Sequence, residues 1–150
     1  MAAPLAGLWS LDFPNHACEA LFAVAVDIES YPRFLPWCRA VRITRRGPDG
    51  LPRRVENLFG AGPVVARFES HAEPEPPHRL VIRAEAAPFR RFSLDWRFDP
   101  LPDGGCRASA AYHIELRSAV LQSLARLSLP EVERRVVQAF RDRVRLVHGG

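Results

Sequence analysis

Two stretches of the chain alternate strictly between apolar and polar residues, which indicates β-strands with one buried and one solvated face. The stretch FSLDWRFD (92–99) places four apolar side chains on one face, and RASAAYHIELR (107–117) repeats the pattern. Less regular alternation covers five further segments, at 8–13, 41–46, 53–59, 64–72 and 79–85. Turn-forming stretches such as RGPDG, EPEPP and PLPDGG separate the segments. The last six segments follow one another on short connectors, so they predict an antiparallel meander.

A short helix is predicted between the first strand and the meander, over HACEALFAVAVDIES (16–30), with Asn15 as its N-cap. Its apolar residues lie along one helical stripe: Leu21, Phe22, Ala25 and Ile28. Asp27 and Glu29 stand two positions apart, so their side chains point in different directions and do not form an acid–base pair. We expect them to end the helix, ahead of a turn at Tyr31 and Pro32.

A second helical region begins near Ser118, and Pro130 is predicted to break or kink it. Beyond Pro130, polar residues occupy one side of the helix, and the other side is apolar: Val132, Val136, Phe140, Val144 and Val147. This apolar side must pack on the sheet, the only large apolar surface that the pattern provides. We therefore predict an α+β fold in one domain, residues 1–150, with a curved antiparallel sheet of about seven strands wrapped around the C-terminal helix. Strong curvature leaves space for an apolar pocket between the two.

Composition places the chain among ordinary globular proteins, with 47% hydrophobic and 25% charged residues. It contains no apolar run near the ~20 residues that span a bilayer, and no signal or transit peptide is evident at its N-terminus. We expect a cytoplasmic protein or one peripheral on the inner face of a membrane. The net charge is +4 and all 21 cations are arginine. Anionic lipid or RNA therefore stays open as a partner, although the arginines are scattered.

The three cysteines, Cys18, Cys38 and Cys106, lie far apart and form no C-x-x-C pair. This spacing favours buried thiols in a reducing compartment over a disulfide framework or a zinc site. No metal site is predicted.

Catalytic chemistry finds little support in the sequence. The five histidines are isolated, and His113 falls on the solvated face of its strand. No H-E-x-x-H, G-x-S-x-G, P-loop or G-x-G-x-x-G motif occurs. We therefore predict a protein that is not an enzyme, has no catalytic residues and requires no cofactor.

The most unusual segment is YPRFLPWC (31–38), which combines large apolar side chains with two prolines and one charge, Arg33. It can be a buried corner of the core. It can equally be the mouth of a site that accepts an apolar ligand, because prolines stiffen a short loop. The residue pattern alone leaves both interpretations open.

Three motifs in order resemble the coenzyme Q-binding and RatA-like branch of the START (polyketide cyclase/dehydrase, SRPBCC) superfamily. The first is LFAVAVDIESYPRFLPWCRAVRI (21–43), the second is APFRRFSLDWRFDP (87–100), and the third is VVQAFRDRVRLVHG (136–149). Two departures from the family motifs stand out. Ala87 replaces the usual glycine before Pro-Phe. The second lies in the stretch that in the family normally reads V-G-F followed by a charged E-x-F-x-S, where Gly60, Gly62 and Pro63 shift the pattern. Because that stretch should line the pocket, the ligand can differ from that of the family.

The resemblance implies a START/Bet v-like helix-grip fold whose cavity binds ubiquinone or a related isoprenoid lipid, as a quinone chaperone or carrier for respiratory electron transport. The residues expected to line that cavity are Phe22, Val26, Phe34, Leu35, Trp37, Phe59, Phe68, Phe89, Trp96, Phe98, Tyr112, Val136, Val137 and Phe140. It also leaves two alternatives. One is a RatA-type toxin that binds the large ribosomal subunit and blocks subunit association. The other is a polyketide aromatase/cyclase. Contact with a membrane surface is compatible with the role of a quinone carrier. DNA is not expected as a partner.

Overall fold

The computed structural model describes residues 4–61 and 64–149, with the side chains of 61 and 64 not described. It contains one antiparallel sheet whose strands are β1 (Leu5–Phe13), β2 (Cys38–Arg46), β3 (Pro52–Ala61), β4 (Val64–Glu75), β5 (Arg79–Ala84), β6 (Phe89–Pro100) and β7 (Cys106–Leu116). The strand order is β1-β7-β6-β5-β4-β3-β2. The six-strand meander is thus confirmed, and the first strand joins it beside the last. Gly62 and Pro63, where the sequence departs from the family pattern, lie outside the described residues.

The first helix, α1, spans Cys18–Val26, and a 3-10 helix follows at Ile28–Arg33. The predicted apolar stripe is buried as expected, with Leu21, Phe22 and Ala25 on α1 and Ile28 at the start of the 3-10 helix. The predicted cap is wrong: Ala17 occupies the N-cap position without a side-chain bond, and Asn15 lies in the turn before it. The local role of Asp27 is confirmed, since its carboxylate accepts a hydrogen bond of 2.6 Å from the hydroxyl of Ser30.

The long helix, α2, spans Ala119–His148, and Ser118 caps it by accepting a hydrogen bond from the backbone of Leu121. Pro130 lies inside this helix and does not end it, contrary to a predicted break. A proline lacks one backbone donor, and Leu129 before it and Val132 two residues after it both line a cavity between helix and sheet. The apolar face ends at Val144, because Val147 is half exposed.

The core lies between the concave face of the sheet, α1 and the C-terminal half of α2. Phe140 and Val144 of α2 are buried there, and Phe140 packs against Trp9 and Trp96 with ring centroids 6.1 and 4.9 Å apart. The N-terminal half of α2 is held to β7 by the buried side chain of Gln122, which accepts from the backbone of Leu116 and donates to the carbonyl of Ile114, while Val120, Leu124 and Leu127 are mostly exposed. Between Gln122 and Phe140, the inner side of the helix faces a cavity.

Two cysteines form a disulfide, Cys18 at the start of α1 and Cys106 at the start of β7, with Cα atoms 5.2 Å apart. The prediction of three buried thiols is therefore wrong for this pair and right only for Cys38, which is free and buried. The two partners are 88 residues apart, so the fold brings them together and their spacing gave no sign of it. His113 also differs from expectation: it is half buried, because it lies between Ala6 and Ser93 on the neighbouring strands.

Candidate functional site

An apolar cavity of about 350 Å³ lies between the concave face of the sheet and α2. Its walls come from β1, from the 3-10 helix and the loop after it, from β3 to β7, and from α2. The lining is dominated by aromatic and aliphatic side chains, chiefly Trp9, Leu35, Trp37, Phe59, Phe68, Ile82, Phe89, Phe92, Leu94, Ile114, Leu129, Val132 and Val136. The volume is within the range of small-molecule sites, ~300–1,000 Å³.

Half of the residues predicted from the sequence meet at this cavity: Leu35, Trp37, Phe59, Phe68, Phe89, Tyr112 and Val136. The others do not line it. Phe22, Trp96, Phe98 and Phe140 are fully enclosed in the core, while Val26 and Val137 pack against the core from its margin. Phe34 faces a separate surface groove. Alternation along a strand places a side chain on the concave face, but it does not say whether helix or empty space covers it.

Several lining residues were not predicted. Trp9 of β1, Ile28 and Tyr31 of the 3-10 helix, and Asn57 and Ser70 of β3 and β4 all contribute to the cavity wall. The last two carried a signal that could have found them. Each is a polar residue at an inward-facing position of an alternating strand, where an apolar residue is the rule.

The segment after the 3-10 helix forms one side of the cavity mouth through Leu35, Pro36 and Trp37. Trp37 is half buried, and its backbone has φ of 65°, a left-handed conformation that bulky residues seldom adopt. The guanidinium of Arg135 on α2 lies over its ring, 5.8 Å from the centroid. Trp37 is therefore held at the rim by a strained backbone and a cation above it, and is not packed inside the core.

Asn57 and Ser70 form a polar pair at the inner end of the cavity. The amide nitrogen of Asn57 donates to the Ser70 hydroxyl at 2.9 Å and to the backbone carbonyls of Phe68 and Val55 at 3.2 and 3.3 Å. Both residues are buried, whereas Phe59 and Ala66, nearer the hairpin tip on the same strands, are half buried. Burial thus increases from the mouth inward and is greatest at the polar pair.

A second polar pair joins the sheet to α2. The hydroxyl of Tyr112 on β7 donates to the carboxylate of Glu133 on α2. Burial and the neighbouring carboxylate together raise the pKa of Tyr112 to about 12, so it stays protonated at neutral pH. Gly7 on β1 makes this arrangement possible, because a Cβ atom there would overlap the Tyr112 hydroxyl. Glu133 is the one charged side chain of the lining within the described residues.

The cavity offers few groups for catalysis. Its lining includes no histidine or cysteine among the described residues. Tyr31 donates to the backbone carbonyl of Ala25, and burial raises its pKa, so its hydroxyl stays protonated and engaged. Across residues 4–61 and 64–149, no cluster of three metal-ligating side chains occurs. The arrangement can enclose an apolar molecule and hydrogen-bond a neutral polar group.

A shallow groove runs beside the mouth, between the segment around Phe34 and the C-terminal half of α2. Four arginines and two acids border it: Arg33, Arg134, Arg135, Arg143, Glu131 and Asp142. Arg134 and Arg135 both pair with Glu131, and the guanidinium of Arg143 lies 5.3 Å from the ring centroid of Phe34. The groove is therefore basic but partly neutralised.

None of the helices in the part of the chain described here is long and apolar enough to cross a membrane.

Comparison with known proteins supports the fold and the family. One curated relative is the ribosome association toxin RatA of Escherichia coli, which is 24% identical over 89% of this chain and 83% of that protein. Another is the mitochondrial coenzyme Q-binding protein of Schizosaccharomyces pombe, which is 23% identical over 85% of this chain and 80% of that protein. A START superfamily protein from Mycobacterium smegmatis has the same fold, with a TM-score of 0.77 at 15% identity over 96% of this chain and 98% of that one.

The helix-grip fold and the resemblance seen in the sequence motifs are thereby confirmed. A family model described as polyketide cyclase / dehydrase and lipid transport matches residues 15–141, most of the chain. The chain belongs to this polyketide cyclase / dehydrase and lipid transport family.

Proposed function

We propose that this protein binds an isoprenoid quinone such as ubiquinone, or a closely related lipid, and carries it without chemical change in support of respiratory electron transport. The observation that carries the proposal is the cavity, which is lined by aromatic and aliphatic side chains and holds a single charged group, Glu133. A relative whose name states coenzyme Q binding supports the choice of ligand.

Burial of hydrocarbon supplies the driving force for such binding. Each CH₂ group transferred from water to an apolar site contributes about 0.8 kcal/mol. A polyprenyl chain is insoluble in water, so enclosing even part of it stabilises the complex without any cofactor or catalytic group. The proposed role is therefore that of a non-enzymatic chaperone or carrier.

Contact with a bilayer is proposed for the outer face of α2. The side chains of Val120, Leu124 and Leu127 are exposed there. Exposed apolar side chains of this kind can contact acyl chains. Flotation with neutral liposomes should recover the protein, and Leu124→Ser with Leu127→Ser should reduce that recovery; unchanged flotation would remove this part of the proposal.

Direct titration tests the ligand proposal. Decylubiquinone should quench the fluorescence of Trp9 and Trp37, which line the cavity. Val136→Trp, which fills the cavity from α2, should abolish this quenching, and Arg83→Gln on the opposite side of the sheet is the matched control. Absence of saturable quenching in the unmodified protein would overturn the quinone assignment.

A second candidate function, binding to the ribosome, is favoured by one separate observation. The groove between Phe34 and α2 carries an excess of arginine over acid, and arginine is well suited to phosphate. A relative whose name states ribosome association supports this candidate.

Sedimentation through sucrose gradients tests the ribosome candidate, because phosphate contacts weaken steeply with salt. Co-sedimentation with ribosomal subunits at low salt should disappear at high salt and in Arg33→Glu with Arg143→Glu. Arg83→Glu, outside the groove, should leave it intact. No association at either salt concentration would exclude this candidate.

A further inference from the structure

The polar pair at the inner end of the cavity retains unused hydrogen-bonding capacity. The amide hydrogens of Asn57 are taken by Ser70 and by backbone carbonyls. Among the described residues, the Asn57 carbonyl oxygen accepts no hydrogen bond and the Ser70 hydroxyl donates none. Both side chains line the cavity. The pair thus presents one acceptor and one donor to a space whose other described lining side chains, apart from the phenols of Tyr31 and Tyr112 and the carboxylate of Glu133, are apolar.

The position of this pair gives the cavity a direction. Along the β3–β4 hairpin, Phe59 pairs with Ala66, Asn57 with Phe68, and Val55 with Ser70. Among these inward-facing residues, Phe59, Ala66 and Phe68 are half buried, whereas Asn57, Val55 and Ser70 are buried. The donor and acceptor therefore lie far from solvent, and the mouth at Trp37 and Phe59 is apolar.

Charge further limits what can occupy the inner end. The described lining contains no arginine or other cation, and its one charged side chain, Glu133, is an acid. A phosphate or carboxylate head would lose its hydration there without gaining a counter-ion. An uncharged head loses little hydration: a carbonyl group on it can accept from Ser70, and a hydroxyl group can also donate to Asn57.

We propose that the ligand enters head first, and that Ser70 and Asn57 select an uncharged ring carrying a carbonyl or hydroxyl group while its apolar tail extends to the mouth. Ser70 donates to a ring carbonyl or hydroxyl oxygen, and Asn57 accepts from a ring hydroxyl, so a quinone engages Ser70 and a quinol can engage both residues. This inference rests on the proposed hydrophobic-ligand function and adds the head group and its orientation. The cavity volume, near the lower end for ligand sites, accommodates a ring and leaves a long tail outside.

Displacement of the uncharged dye Nile red by three decyl compounds tests the selection. The compounds are a decyl-substituted para-benzoquinone, decylbenzene and decyl phosphate, which share a tail and differ in the head. The unmodified protein should bind the quinone about tenfold more tightly than decylbenzene, because one well-formed hydrogen bond contributes a difference in affinity of about this size. Decyl phosphate should bind most weakly of the three.

Ser70→Ala should remove most of the preference for the quinone and leave the affinity for decylbenzene unchanged, because Asn57 keeps its backbone acceptors. Ser109→Ala, which removes a hydroxyl from the exposed pair with Ser10, is the matched control and should keep the preference. Equal affinity for quinone and decylbenzene, or an unaltered preference in Ser70→Ala, would overturn the inference while leaving apolar ligand binding intact. Failure of all three compounds to displace the dye would instead overturn the proposed function itself.

Orientation is tested with a phenol carrying a 10-bromodecyl tail, because bromine quenches tryptophan only at close range. Head-first binding places the bromine near Trp37, so the extra quenching relative to the unbrominated phenol should disappear in Trp37→Phe at saturating ligand. Extra quenching that persists in Trp37→Phe would place the tail beside another tryptophan, such as Trp9 in the cavity wall, and away from the mouth, and would contradict head-first binding.

Discussion

The hydroxyl of Tyr112 on β7 donates a hydrogen bond to the carboxylate of Glu133 on α2, and this bond joins sheet and helix across the cavity. It lies between Gln122, which is bonded to the backbone of β7, and Phe140, which is buried in the core. The bond therefore helps to hold α2 over the cavity. The first two predictions follow from this pair.

Alkaline pH should destabilise the fold in part through Tyr112. Its pKa is raised to about 12 in the folded protein, first by burial and then by the bond to Glu133, from an ordinary value of 10.0. The stabilisation is complete below pH 10 and is lost as the pH rises through 12. Urea unfolding between pH 9 and 12 should show a smaller loss of stability in Tyr112→Phe than in the unmodified protein. Tyr31, whose pKa burial also raises, remains in both proteins. Equal losses would contradict the assignment.

Gly7→Ala should destabilise the protein by about 1–3 kcal/mol, the usual cost of forcing atoms into a packed site. The added Cβ atom would overlap the Tyr112 hydroxyl and push the ring away from Glu133. In a Tyr112→Ala background the same substitution should cost much less, because the overlapping ring is gone. Thermal unfolding of the four proteins measures this coupling. Costs that simply add would show that Gly7 is not there to accommodate Tyr112.

Substitutions of Trp37 distinguish a position at the rim of the cavity from a position in the core. Because Trp37 is half buried at the mouth, Trp37→Ala should weaken decylubiquinone binding more than tenfold with little change in melting temperature. If the tryptophan were buried in the core, its truncation would lower the free energy of unfolding by about 3–5 kcal/mol. Trp37→Gly should bind as weakly but be at least as stable as Trp37→Ala, because glycine adopts the positive φ without strain. A large drop in melting temperature in both variants would refute the rim position.

The disulfide between Cys18 and Cys106 predicts a stepwise alkylation pattern. In the native protein no thiol should react readily at pH 8, because burial raises the pKa of Cys38 to about 11. Denaturation alone should expose one thiol, and denaturation with reduction should expose three. Cys106→Ser should lower stability by about 3–5 kcal/mol, as expected for loss of a crosslink that closes a long loop. Three reactive thiols without reduction would exclude the disulfide.

Hydrophobic periodicity was enough to predict the sheet, its meander and the long helix, because alternation and the helical period each report on one buried face. The cavity was predicted only in part, since Phe92 and Phe98 share one alternating face of β6, yet Phe22 of α1 packs on Phe98 while the cavity lies beside Phe92. The Cys18–Cys106 pair depends on a contact between residues far apart in sequence, which local pattern does not encode. Asn57 and Ser70 were recognisable as polar residues on an inward face, but not as partners of one another.

The most direct test of the central claim is mass spectrometry of organic extracts from native protein purified out of a quinone-producing host without detergent. The account predicts a neutral isoprenoid quinone or related lipid at up to one molecule per chain, and much less from Val136→Trp, in which the cavity is filled. Extracts of the unmodified protein that contain no stoichiometric lipid, together with no binding of added ubiquinone, would contradict it.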